Sequence, residues 1–173
     1  MAERADDLDA ARRGDPRAFG RLLRAWDADL RGVAWSVVRN ADAVDDVCQS
    51  AYEKAFRQID GFAGDSSMKT WLHSIVYRTA IDHTRRETLR RHESLDAVAA
   101  TPGPASTSDS ALDHLEVVDA FGRLDPETRA MVMLTGVAGL SFDEVAEIIG
   151  VARGTVASRV SRARTRLRQE ALS

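Results

Sequence analysis

Six arginines and no acid fall between Val151 and Arg168, at positions 153, 159, 162, 164, 166 and 168. Guanidinium groups fork onto guanine edges and phosphates, and hydroxyls such as those of Thr155 and Ser158 bond to either. Plotted at helical spacing, Val156, Val160, Ala163 and Leu167 lie within about 60° of one another. Thr155, Ser158, Arg159, Arg162 and Arg166 form a separate face, roughly a third of the circumference wide. Such a helix can bury one side and read DNA with the other, with Arg159 and Arg162 expected opposite the apolar stripe. Arg153 leads the helix, while Arg164 and Arg168 flank the face, where phosphate is the expected partner. A solvated basic helix would carry the same arginines, so the segment before it decides. Ser141-Phe-Asp-Glu144 has the form of a capping box, and Gly150 stops the short helix it starts. A short helix, a tight turn and a two-faced second helix make a helix-turn-helix.

The rest of the chain must position this unit, and nearly all of it has helical period. Asp15-Pro16 is a cap followed by proline at the first helical position. After it Phe19, Leu22, Leu23, Trp26, Leu30, Val33, Ala34 and Val37 make one stripe. Asp42 is expected to cap a second helix that turns Val44, Val47, Cys48, Ala51 and Ala55 inward and leaves Asp45, Asp46, Gln49, Glu53 and Lys54 on its other sides. Residues 61–67, GFAGDSS, read as a loop. A third long helix buries Trp71, Leu72, Ile75, Val76, Thr79 and Ala80 and carries Arg78, Asp82, Arg85 and Arg86 outside. A further helix is expected from about Leu112 to Leu124, and Asp125-Pro126 caps another that ends near Gly139. The last helix is expected over about Gly154 to Gln169. No stretch alternates with period two, so the fold class is all-α. AATPGPASTSDS at 99–110 has no large apolar side chain and reads as a linker. The expected organisation is domain one at 1–95, a flexible linker at 96–110 and domain two at 111–173. Such a linker lets the domains close on each other or around an inhibitor.

Composition narrows the function. The chain has 173 residues, a net charge of −3 and one cysteine, Cys48. An acidic protein with one local basic face fits a factor that touches DNA with one surface and something else with others. A lone cysteine excludes an internal disulfide and a cysteine-rich metal site, and no cofactor or metal is expected. The charged N-terminus lacks the apolar core of a signal peptide, and no apolar run approaches membrane-spanning length. A cytoplasmic protein without membrane insertion is therefore expected.

Three segments now become recognisable. LSFDEVAEIIGVARGTVASRVSRARTRLRQ, with LDPETRAMVML before it, resembles the −35-reading domain of the group-four, or extracytoplasmic-function, sigma factors of the sigma-70 family. DAVDDVCQSAYEKAF resembles that family's core-polymerase-binding helix, and FAGDSSMKTWLHSIVYRTAIDHTRR resembles its −10-reading segment. Order and spacing match over nearly the whole chain apart from the linker. Cys48 and Ser50 depart from it, standing where the family more often has an apolar residue and an acid.

The resemblance implies an alternative sigma factor that binds core RNA polymerase through its clamp coiled coil and flap and directs it to promoter DNA, with an anti-sigma factor as a possible further partner. It implies a −35 contact through Arg153, Thr155, Ser158, Arg159, Arg162, Arg164 and Arg166. It places the clamp contact at Asp46, Gln49, Glu53 and Phe56. The loop from Gly61 to Trp71 and the helix after it would grip an extruded base of the −10 element, with Ser66, Ser67, Lys69, Thr70 and His73 supplying polar groups. Trp71 reads either as core or as a stacking platform. Arg78, Arg85 and Arg86 would follow phosphate, with Asp82 orienting Arg78.

Two other classes fit the sequence less well. An enzyme would need a site, and the chain has no phosphate-binding glycine loop, no HExxH motif and only scattered histidines at 73, 83, 92 and 114. A stand-alone helix-turn-helix regulator would need a dimer interface or effector pocket in residues 1–95, which instead carry the two sigma-like segments.

Overall fold

The computed structural model describes residues 2–93 and 118–170. The expected linker at 96–110 and the beginning of the helix expected from Leu112 lie outside them. Among the described residues all regular structure is helical. The order is α1 (Ala2–Arg12), α2 (Pro16–Arg24), α3 (Asp27–Val38), α4 (Ala41–Gln58), a 3₁₀ turn (Ile59–Gly61) and α5 (Met68–Glu93). After the undescribed segment come α6 (118–122), α7 (Pro126–Gly136), α8 (Phe142–Ile149) and α9 (Arg153–Glu170).

Local signals set most boundaries. Asp15 accepts from the Arg17 amide with Pro16 in the first helical turn, which satisfies an amide that has no partner inside the helix. Asp125 does the same for Thr128 at the start of α7. Ser141 and Glu144 form both bonds of the capping box on α8, and Gly150 ends that helix at φ 83° in the left-handed region that glycine enters without steric cost.

Three helix boundaries differ from those the sequence predicts. The stripe from Phe19 to Val37 is split between α2 and α3, because the chain breaks at Ala25 and Trp26, where Trp26 sits at φ −134°, ψ 6°. The cap of α4 is Asn40, whose side chain accepts from the Ala43 amide at 2.9 Å; Asp42 lies in the first turn, where a carboxylate suits the positive end of the helix dipole. The helix expected to run to Gly139 ends at Gly136, and Gly139 makes the following turn at φ 63°. The N-terminal helix α1 was not foreseen; it packs on α2 and buries Ala11.

In the first half, α3, α4 and α5 pack mutually, with Leu30, Val33, Val47, Ala51, Leu72 and Val76 at the centre. In the second, α7, α8 and α9 enclose Leu134, Val145, Val156 and Val160. The two cores are continuous, because α7 lies directly on α3 and α8 on α5.

Candidate nucleic-acid interface

The arginine-rich helix α9 is held by its apolar stripe. Val156, Val160 and Ala163 are buried against α7 and α8. The capping box fixes where α8 starts and the Gly150 turn fixes the angle at which α9 leaves it. Arg153, Ser158, Arg162, Arg164, Arg166 and Arg168 are exposed, and Thr155 is half-buried. The anchors of Arg153, Arg159, Arg162, Arg164 and Arg166 differ. Arg153 pairs with Asp143 at 3.2 Å, and the Arg166 Nε pairs with Glu170 at 3.0 Å. The Arg162 Nε donates to the Ser158 carbonyl one turn back at 3.2 Å. Arg164 turns the other way, toward the Thr135 hydroxyl at the end of α7. Arg159 is not opposite the stripe. It is half-buried and ion-paired with Glu127 in the first turn of α7. The reason is angular: it lies about 60° round the helix from Val156 and so borders the buried side. Arg159, Arg162 and Arg166 together line a groove against Leu124, Asp125 and Thr128.

On α4, Asp46, Gln49 and Glu53 are exposed and share one face within about 60°, with Gln49 reaching Glu53 at 3.5 Å. Phe56 is half-buried, its ring tilted on Phe19 at 5.3 Å between centroids. It therefore fastens α4 to α2 as well as edging the acidic face.

The loop before α5 is pinned at both ends. Phe62 is buried and its ring meets Trp71 at 5.2 Å, so Trp71 serves the core at least in part. Ser67 caps α5: its hydroxyl accepts from the Thr70 amide at 3.0 Å and lies 2.7 Å from the Thr70 hydroxyl. Ser66 and Lys69 are half-buried beside it. Arg12 was not foreseen here. Its Nη2 donates to the Phe62 carbonyl at 2.5 Å across fifty residues of chain. Only tertiary packing brings α1 to this loop, and nothing local in the sequence announces it.

Thr70 and His73 are covered. The Thr70 hydroxyl donates to Glu144 of α8 at 2.5 Å, and this bond, with the Ser141 amide, holds the Glu144 carboxyl below the usual carboxylate range. His73 is fully buried. Its Nδ1–H donates to the Lys69 carbonyl at 2.7 Å, which leaves Nε2 as a buried atom without a partner. Burial pulls its pKa below the ordinary value.

Arg78, Arg85 and Arg86 are exposed but do not form one track. Arg78 and Arg85 line a groove facing Asp125, Glu127 and Glu147, whereas Arg86 lines a separate recess with Asp46 and Lys54. Asp82 lies in the same groove as Arg78 yet makes no ion pair with it among the described residues, so it does not orient that arginine here. Also among the described residues, no group of three metal-ligating side chains occurs and no helix is long and apolar enough to cross a membrane.

Comparison with known proteins finds two family matches along the chain. Residues 22–90 match the family described as sigma-70 region 2, and residues 114–167 match sigma-70 region 4. The chain is 35% identical over 154 residues to the ECF RNA polymerase sigma factor SigM of Mycobacterium tuberculosis, spanning 89% of this chain and 77% of that one. It is 31% identical to the ECF RNA polymerase sigma-E factor of Escherichia coli K12, spanning 95% of this chain and 93% of that one. Among solved structures, the sigma factor RpoE in complex with the anti-sigma factor NepR from Bartonella quintana superposes with a TM-score of 0.72 at 29% identity. That match covers 88% of this chain and 95% of RpoE. CnrH in complex with the cytosolic domain of CnrY gives 0.69 at 27% identity, covering 98% of this chain and 96% of CnrH.

Proposed function

This chain belongs to the extracytoplasmic-function sigma factors of the sigma-70 family, the factors that direct bacterial RNA polymerase to promoters, and we propose how its surfaces divide that work. Residues 1–95 act as the domain that engages core enzyme and the −10 element, residues 111–173 as the domain that reads the −35 element, and 96–110 as their tether. The two-faced α9, standing on a capping-box helix with four exposed arginines through Arg166, is the observation that carries the −35 assignment.

Within α9, Arg162 is the base reader: it is exposed and mid-helix, and its backbone bond to Ser158 is one that DNA can replace. Thr155 and Ser158 add hydroxyls on the same side. Arg153, Arg164 and Arg166 meet phosphate, which fixes register. Arg159 joins them only if it leaves Glu127. On α4 the acidic face of Asp46, Gln49 and Glu53, edged by Phe56, meets the clamp coiled coil; the flap takes domain two. Ser66, Ser67, Lys69, Thr70, Trp71 and His73 form or frame the pocket for the −10 base, with Arg78, Arg85 and Arg86 following the strand. An anti-sigma factor is a further partner, in keeping with the likeness to the sigma factor RpoE in complex with the anti-sigma factor NepR. The work is done in the cytoplasm, where polymerase and promoter are, and none of these surfaces performs covalent chemistry.

The clamp assignment is tested by measuring affinity for core enzyme in a Gln49→Ala, Glu53→Ala double variant. Both residues are exposed, so folding should be unaffected and affinity should fall at least tenfold. Undiminished affinity would remove α4's acidic face from the interface.

A further inference from the structure

The loop proposed to hold the −10 base is tied to α1, a helix that none of the proposed contacts uses. α1 is fixed from its other side. Asp7 accepts from the Arg21 Nε of α2 at 2.9 Å, and Ala11 is buried. Beyond the helix Gly14 turns the chain at φ 89° and the Asp15 amide returns to the Ala10 carbonyl at 3.0 Å. Leu8, Ala11 and Arg12 lie within about 100° of one another on α1, and Leu8 packs against the core. The Arg12 side chain therefore starts from an element whose place does not depend on the loop.

Its guanidinium is directed at the loop. Nη2 donates to the Phe62 carbonyl at 2.5 Å, Nη1 stands 3.8 Å from Asp9, and Nε is buried without a partner among the described residues. An arginine in the last turn of a helix ordinarily serves that helix's own free carbonyls. This one crosses to a carbonyl fifty positions away. Charge-assisted bonds are the strong ones, and releasing Phe62 would leave a part-buried guanidinium with a further donor unsatisfied.

The point of attachment matters. Phe62 is the last buried residue before α5. Its ring meets Trp71 and its amide donates to the Ile59 carbonyl at 3.1 Å, so with Arg12 on the carbonyl its ring, amide and carbonyl are all held. Four residues follow, 63–66, and the first three are exposed. Gly64 among them is in the left-handed region at φ 84°, and glycine loses more freedom on ordering than any other residue. Ser67 then closes the stretch as the cap of α5. The Phe62 carbonyl shares a peptide plane with the Ala63 amide, so Arg12 sets the direction in which the free stretch leaves. A loop whose ends are set before the strand arrives loses less entropy when it binds.

We propose that Arg12 is a positioning residue for the −10 pocket: from α1 it holds the Phe62 carbonyl and so presets the loop at 63–67, touching no nucleotide itself. This rests on the assignment of −10 reading to that loop. It makes α1 part of the reading apparatus at a distance from the DNA.

The experiment uses holoenzyme assembled from core enzyme and full-length protein, with anisotropy on a single-stranded oligonucleotide carrying the −10 element of a promoter the holoenzyme transcribes. Arg12→Met keeps the apolar stem and removes the donor, and Arg12→Lys keeps a cationic donor. Circular dichroism checks folding, and Arg12→Gln, too short to reach the carbonyl, replaces the Met variant should that one not fold. Oligonucleotide binding should be at least tenfold weaker in Arg12→Met, with discrimination among bases of the element reduced, and most of it should return in Arg12→Lys. Affinity for core enzyme and −35 preference should stay within twofold of wild type. A spin label at Asp65→Cys, an exposed position, should pass from a restrained to a mobile spectrum in Arg12→Met and not in Arg12→Lys. Undiminished oligonucleotide binding in Arg12→Met, or a loss matched by an equal loss of core affinity, overturns the proposal. A Ser66→Ala, Lys69→Ala double variant separates it from the reading it rests on. Weaker binding there beside full binding in Arg12→Met removes Arg12 alone, whereas full binding in both removes the loop from the −10 contact and the proposal with it.

Discussion

At the scale of single residues, identical side chains in α9 are given different work by their neighbours. Arg162 is exposed and, among the described residues, bonded only to a backbone carbonyl, whereas Arg159 is half-buried and held by Glu127. Arg162→Ala should cost roughly 1–3 kcal/mol of promoter binding and relax preference at one −35 position. Electrophoretic titration of holoenzyme against a set of −35 point mutants measures this, and a uniform loss across the set would make Arg162 a phosphate contact. His73 gives a pH signature. Its burial disfavours the imidazolium, the Lys69 carbonyl bond opposes that, the Lys69 charge reinforces it and Asp29 opposes it, with a net lowering from 6.5. As pH falls below about 6.5 the unfolded chain takes the proton first, so His73 subtracts stability until pH passes the lowered folded-state value, where the loss levels off. Above 6.5 it contributes nothing. Melting temperatures at pH 7.5 and 5.5 should therefore differ more in wild-type protein than in His73→Gln, and equal differences would contradict this account.

At the scale of elements, α8 is the short piece on which α9, the proposed DNA-reading helix, depends. Ser141→Ala removes the hydroxyl that caps it and should lower stability by about 1 kcal/mol. Because α8 seats α9, −35 binding should weaken with it, while affinity for core enzyme through α4 stays the same. Thermal melts with core and promoter titrations check the three readings, and a loss confined to core binding would be inconsistent with it. Elements like α8 were legible because their signals are local: Ser141 and Glu144 are three residues apart, as are Asp125 and Thr128. The same holds for the apolar stripe of α9, which needs only helical spacing. The break at Trp26 was not legible, since the apolar period runs through it unbroken. Nor was the part played by Arg129: an arginine inside LDPETRAMVML reads as surface charge, and only the fold brings it to the Ser36 carbonyl of α3. Arg12 and the covering of Thr70 escaped for the same reason, because their partners lie at long range in the chain.

At the scale of the whole molecule, the proposed function splits promoter recognition between two halves, neither of which is expected to bind DNA strongly alone. The net charge is −3, so no general attraction to DNA compensates for a small contact. Holding both halves on core enzyme at a fixed separation turns the second contact into an intramolecular one and raises its effective concentration. The protein alone should bind duplex promoter DNA weakly and with little sequence preference. The most direct test is run-off transcription on a promoter library with purified core enzyme, with and without the protein, using an Arg153→Ala, Arg162→Ala, Arg166→Ala variant as the comparison. The account predicts specific transcripts only when core enzyme and wild-type protein are combined, from promoters sharing one −35 and one −10 pattern, with −35 dependence lost in the variant. Transcripts indifferent to the added protein, or tight and specific promoter binding by the protein without core enzyme, would contradict it.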